Sequence, residues 1–315
     1  MSPSNYEIIS YREDYDEELL KFESSIVQGK NIQLQMVKAH FLSRALLFEE
    51  HYAGMAIDVH GDILGTAIAA RTTIQINGTT IPVGFGLDAK VATSARNRGV
   101  GKHMAREMYR RFFSPHGLTK NFITAKLSNA PVIRMTAGIL SRIFLYDFVY
   151  LTIPTNARIN GIPHVKAGKE LFGVRLFDAE KIPDRYYTAY RSGLGCFHMH
   201  HVYTLKIRKI QSIIKWGMGI LKRLHPSKYK DVPNEGDILS FSILYNQSAS
   251  NIAHLNPVLE DLEQSGIAHL LVCCRKGDMV YRSIRHLAIN RYGYYLVTDF
   301  PLRSSDAVQL DVRCL

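Results

Sequence analysis

Short runs rich in β-branched and aromatic residues at 6–12, 54–60, 63–71, 84–93, 121–127 and 144–153 predict strands in the first half of the chain. Between them, apolar residues spaced by three or four predict helices. The first covers 14–26 with Leu19, Leu20, Phe22 and Ile26 facing inward, and a second covers 34–47. A third begins near residue 100, where Met104, Met108 and Phe112 recur every fourth position. A fourth runs from 128 to about 140, with Pro131 suited to its first turn. Gly61-Asp62 and Asn77-Gly78 supply turns for a hairpin over 54–71 and a smaller excursion over 72–83.

The second half is less regular. Residues 155–169, with Gly161, Pro163 and Gly168, read as a linker or substrate loop. Ile207, Ile210, Ile214, Met218, Leu221 and Leu224 then fall at helical spacing around Trp216, predicting one basic amphipathic helix. Pattern returns with a strand over 238–245, a helix over 251–264, a strand over 268–274, and a hairpin formed by 278–289 and 293–300. These shifts divide the chain into 1–155, a linker and basic insert at 156–235, and a smaller α/β half at 236–315. The expected fold class is α/β (α+β).

Composition narrows the picture. The 315 residues carry a net charge of +11 with 46% hydrophobic content, enough for a large core. Neither a secretory leader nor a membrane-spanning run is evident, and Cys196, Cys273, Cys274 and Cys314 form no paired framework, which suits a reducing cytoplasm. Between 185 and 230 there are ten Lys and Arg and no Asp or Glu. Such a block favours anionic partners: an acidic acyl carrier protein or an anionic membrane surface. The expected location is therefore cytoplasmic, with a membrane-peripheral one as the alternative. Nucleic acid is not expected. Cys196, His198 and His200 would share a strand face, but they lack a fourth ligand and sit among cations, so no metal is expected.

The most informative stretch joins strand 84–93 to the helix near 100 through Arg96-Asn-Arg98-Gly99-Val-Gly101-Lys102. First-turn amides have no intrahelical acceptor and carry partial positive charge, so this bend can hold an anion. A dinucleotide fingerprint would require glycine where Met104 stands. A P-loop would require glycine at Arg96 and Ser or Thr at His103. What remains, Arg-x-x-Gly-x-Gly between strand and helix, resembles the GCN5-related N-acetyltransferase (GNAT) superfamily over residues 6–153. The order of elements before and after the turn matches as well.

The resemblance implies a mixed, mostly antiparallel central sheet flanked by helices. The C-terminal half would be a degenerate second copy, without the glycine turn. It also implies an acyl-CoA-dependent N-acyltransferase, most simply one using acetyl-CoA, that moves an acyl group to a small-molecule amine by direct attack. The pyrophosphate would sit on Arg96, Asn97, Arg98, Gly99, Val100, Gly101 and Lys102. The acyl-pantetheine arm would lie along Val91, Ala92 and Thr93 between strands 84–93 and 121–127, with Asn129 nearby. A strand amide near Val91 would stabilise the thioester oxyanion.

Where the superfamily often has a proton-donating tyrosine, this chain has Thr136, leaving Tyr146 or Tyr150 as candidate acids. Asp88 is the candidate base, its alternative role being a salt bridge to a neighbour such as Lys90. His103 could serve as a neutral base or a phosphate donor. Two other readings stay open: an acyl carrier protein as donor, and a non-catalytic basic module on membrane or nucleic acid.

Overall fold

The computed structural model describes residues 5–29, 31–136, 140, 142–159, 161, 170–224 and 234–315. The N-terminal strands β1 (Tyr6–Ser10), β3 (His51–Asp58), β4 (Ile63–Ile76) and β5 (Thr79–Val91) form an antiparallel meander. Helix α1 (Asp16–Ser25) buries Leu19, as expected, but shares that face with Glu23 one turn later. The predicted helix over 34–47 is instead strand β2 (Ile32–Val37) followed by two 3-10 turns, Phe41–Ser43 and Ala45–Leu47. Its sequence, Ile-Gln-Leu-Gln-Met-Val, alternates with the period of a strand.

Beyond β5, α2 (Val100–Met108) buries Met104 and Met108 against the sheet, and a π-helical turn (Tyr109–Phe113) continues that face with Phe112. Strand β6 (Asn121–Lys126), α3 (Ala130–Thr136) and β7 (Phe144–Pro154) follow. Strands β8 (Phe172–Arg175), β9 (Tyr187–Ala189), β10 (Gly195–Phe197) and β11 (Thr204–Ile210) come from the stretch expected as linker and insert. Ile207 and Ile210 thus lie in a strand, and the amphipathic helix α4 spans only Ser212–Leu224.

The C-terminal half contains β12 (Ile238–Leu239), β13 (Phe241–Tyr245), α5 (Leu255–Gln264) and β14 (His269–Cys274). It ends with α6 (Met279–Ile284), β15 (Asn290–Thr298) and β16 (Val308–Asp311). The expected hairpin is therefore a helix and a strand. Val280 and Ile284, one helical turn apart, are buried against the sheet residues of the same core cluster, such as Leu270 and Val272.

Thirteen of the strands make one sheet, with β1-β3-β4-β5-β6-β15-β7-β14-β13-β10-β9 in order and β16 joining β4 to β8. Two parallel strand–helix–strand units, β5-α2-β6 and β13-α5-β14, sit on opposite sides of its centre. Each is closed by a strand of the other: β15 pairs with β6, β7 pairs with β14, and β7 and β15 pair from Phe144 to Thr152. The two units thus exchange closing strands, and the whole is the mixed, mostly antiparallel sheet expected. A second, three-stranded sheet, β12-β11-β2, lies outside it.

Candidate active site

Strands β5 and β6 pair only from Gly84 to Gly86, opposite Asn121 to Ile123. Beyond that point the pairing ends, although β5 runs on to Val91 and β6 to Lys126. The separation coincides with a bulge: the β4–β5 register shifts between Thr66 and Ile68, opposite Asp88 and Ala89, and Asp88 has φ +49°. A bulge adds one residue and so exchanges which amides face which edge. Before it, Gly84 donates to Lys120 on the β6 side at 2.9 Å. After it, Ala92 donates to Leu64 on the β4 side at 2.9 Å, with Val91 opposite Gly65. Bonding alternates along an antiparallel strand. The Val91 amide and carbonyl therefore point toward the edge that β6 has left.

At the end of β5 the chain enters the glycine turn. Asn97 has φ +62° and Gly99 φ +82°, a conformation open to glycine and tolerated by asparagine. His103 donates to the Gly99 carbonyl at 2.9 Å, closing the first helical turn. The amides of Val100, Gly101 and Lys102 precede any available i−4 carbonyl. Arg96, Arg98 and Lys102 are exposed around them, whereas Val100 is buried. Gly101 has a packing role: a Cβ there would lie 3.0 Å from Met135 Sδ and 3.3 Å from Val91 Cγ2. Its lack of a side chain lets α3 approach α2 beside the separated strands.

Asp88 faces the other side of the sheet, where a buried ionic network forms. Its carboxylate accepts from Lys38 Nζ at 2.7 Å and from Arg44 Nη1 at 2.8 Å. Lys38 also contacts Glu23 at 3.0 Å, and Lys90 reaches Glu23 at 2.8 Å. Burial alone would raise the Asp88 carboxyl, but the charges of Lys38, Arg44 and Lys90, together with the Lys38 hydrogen bond, hold it well below the usual carboxylate range. A carboxylate so held is a poor proton acceptor near neutral pH. The ion-pair partners of Asp88 are Lys38 and Arg44 rather than the adjacent Lys90.

These elements enclose a cleft of about 580 Å³. One wall is the sheet, with Phe85, Ile123, Tyr150, Phe241, Ile243 and Leu271. The opposite wall is apolar throughout much of its extent: Ile32, Leu34 and Met36 from β2, Leu205 and Ile207 from β11, and Ile214, Met218 and Leu221 from α4. Arg44, Asp88, Lys90, Asn129 and Tyr203 add polar groups to the lining. Lys126 lies 5.1 Å over the Tyr292 ring, and burial lowers its ammonium pKa.

The remaining predicted residues sort by this geometry. Asn129 lines the cleft, and its backbone carbonyl accepts from the Val132 amide at 3.1 Å at the start of α3. Tyr146 is absent from the cleft wall. Its hydroxyl donates to the Leu171 carbonyl at 2.7 Å, and burial raises its pKa to about 12. The β7 tyrosine that lines the cleft is Tyr150. Thr136 donates to the Ile133 carbonyl at 2.6 Å, and His103 pairs with Tyr6 at 3.3 Å. Among the described residues no cluster suited to a metal ion occurs, and His198 instead contacts Thr188 at 2.9 Å and Ser242 at 3.1 Å. Sequence reasoning missed Lys38, Arg44 and Glu23, although Glu23 lies one turn after Leu19 on the same helix face.

No protein-family model matches the sequence, and no curated protein does either. Solved structures match the fold. Saccharomyces cerevisiae N-myristoyltransferase with bound myristoyl-CoA aligns over 96% of this chain and 85% of its own, with a TM-score of 0.56 and 9% identity. A GCN5-related glucosamine N-acetyltransferase region of a fungal multi-domain β-N-acetylglucosaminidase aligns over 95% of this chain and 38% of its own, with a TM-score of 0.50 and 10% identity. At such identities the likeness is one of fold, and the fold is GNAT-like.

Proposed function

We propose that the protein is an acyl-CoA-dependent N-acyltransferase whose acyl group is a long apolar chain. Three features support this reading: first-turn amides on α2 that have no helical acceptor, a β5 edge left unpaired beyond Gly86, and a large apolar cleft lined by Asp88, Ala89 and Lys90 of that same strand. Amides of Val100, Gly101 and Lys102, with Arg96 and Arg98, would hold the pyrophosphate of coenzyme A. The edge of β5 would pair with the pantetheine amides, and the Val91 amide would face the thioester oxygen. A volume of about 580 Å³ exceeds what an acetyl group needs and falls in the usual range of ligand pockets, so the reading favours longer donors over acetyl-CoA. Each buried methylene contributes about 0.8 kcal/mol, a bias the Ile, Leu and Met lining would supply.

In this reading the acceptor amine attacks the thioester carbon, the C–S bond breaks as the C–N bond forms, the nitrogen sheds a proton to solvent, and the leaving sulfur takes one up. Tyr150, the β7 tyrosine that lines the cleft, would be the donor. The test is calorimetric titration with acyl-CoA esters of increasing chain length, alongside release of free coenzyme A thiol with a panel of amines. Affinity should rise with chain length and fall sharply in the Gly99→Glu/Gly101→Glu variant. No affinity for any coenzyme A ester, or unchanged affinity in that variant, overturns the reading.

A further inference from the structure

Helix α4 is apolar on two faces, and the cleft uses one of them. At 3.6 residues per turn, Ile214, Met218 and Leu221 fall within an arc of about 60°, and all three line the cleft. Ile213, Trp216, Ile220 and Leu224 fall within a separate arc of about 80°. Ile213, Trp216 and Leu224 on that outer arc are 73%, 71% and 66% exposed. Lys215, Lys222 and Arg223 occupy the next arc, and among the described residues Lys215 alone of them pairs with a carboxylate, Glu235 at 3.6 Å. Arg208 and Lys209 are exposed on the strand that leads into the helix.

We propose that the outer stripe of α4 docks the protein on an anionic phospholipid bilayer, with α4 lying in the plane of the interface. The charge around it decides the occupant. No Asp or Glu occurs from 185 to 230, so the surface complements a negatively charged leaflet. A single tryptophan flanked by Ile213 and Leu224, with cations alongside, suits the boundary between headgroups and acyl chains. An acidic carrier protein would match the cations and leave the apolar stripe bare. The bilayer accounts for both. Docking would place the cleft wall formed by α4 against the leaflet, a natural route for an apolar chain, although the docking itself does not depend on the acyltransferase reading.

Because Trp216 is the chain's only tryptophan, its emission reports on this helix alone. The full-length protein is titrated with phosphatidylcholine vesicles with and without phosphatidylglycerol. A blue shift is expected with the anionic vesicles, reversed by high salt and absent with the zwitterionic ones. Lys215→Glu/Lys222→Glu/Arg223→Glu, which keeps Trp216, should weaken partitioning by roughly a hundredfold. Ile213→Ser/Leu224→Ser, which keeps every charge, should weaken it by roughly tenfold or more. Far-UV circular dichroism unchanged in both variants shows that the fold is retained. No shift with anionic vesicles at low salt, an equal shift with both compositions, or a shift only with an acidic carrier protein overturns the proposal.

Discussion

The Lys38 ammonium lies 2.7 Å from the Asp88 carboxylate in a site where both side chains are almost wholly buried. Removing one partner of such a pair leaves the other charged and desolvated, at a cost of about 3–5 kcal/mol. Asp88→Asn should therefore lower the urea midpoint markedly, and adding Lys38→Met should recover part of the loss in a double-mutant cycle. Because the folded-state pKa of Asp88 is depressed, its stabilising contribution is present above the unfolded value of 3.8 and disappears as pH falls further. Equal stability of Asp88→Asn and the parent would show that the carboxylate is not an anchor.

Gly99 carries the positive φ of the anion turn and has open space around it. Gly99→Ala should cost about 1 kcal/mol through backbone strain, and Gly99→Asn, which tolerates this conformation, should cost less. Thermal melts would rank the three proteins. Ala and Asn variants of equal stability would remove the strain argument.

The α4 wall of the cleft offers a way to read chain length. Met218→Trp adds bulk into the space lined by Ile214 and Leu221. Turnover of long-chain acyl-CoA should fall by about tenfold or more, as several methylenes lose their apolar contacts, while short-chain donors should be affected far less. A parallel loss for every chain length would show that the chain lies elsewhere.

A pH-dependent contribution to stability is built around His200. Burial, reinforced by the nearby His201 and His198, lowers its pKa from 6.5 to about 4. The unfolded chain therefore binds the proton more readily in that interval, so stability rises with pH between the two values and the contribution is fully present above 6.5. Denaturant midpoints at pH 7 and pH 5 should differ more in the parent than in His200→Asn. Identical differences would count against the assignment.

Much of this was legible in the sequence because it is local. The glycine turn, the Met104–Met108–Phe112 stripe and the strands on either side announce themselves within a few residues. The Asp88 bulge did not, since it depends on how two strands register. Tyr146 and Tyr150 share a strand face and differ only in which far segment each meets: Leu171 for one, the cleft for the other. The 34–47 segment misled because its apolar residues fit a helical spacing, whereas pairing with β11 selected the two-residue alternation. The basic helix carried both of its faces in plain view, yet only the position of the cleft decides which one turns inward.

The exchange of β7 and β15 bears on how the chain reaches its fold. While the ribosome is still adding residues, the nascent first half presents the flank of β6 to solvent, because the strand that will cover it, Asn290–Thr298, has yet to be made. Completion of the N-terminal core thus waits until Asn290–Thr298 has been made, which makes a chain broken off before that strand far more damaged here than in a protein whose halves mature one after the other.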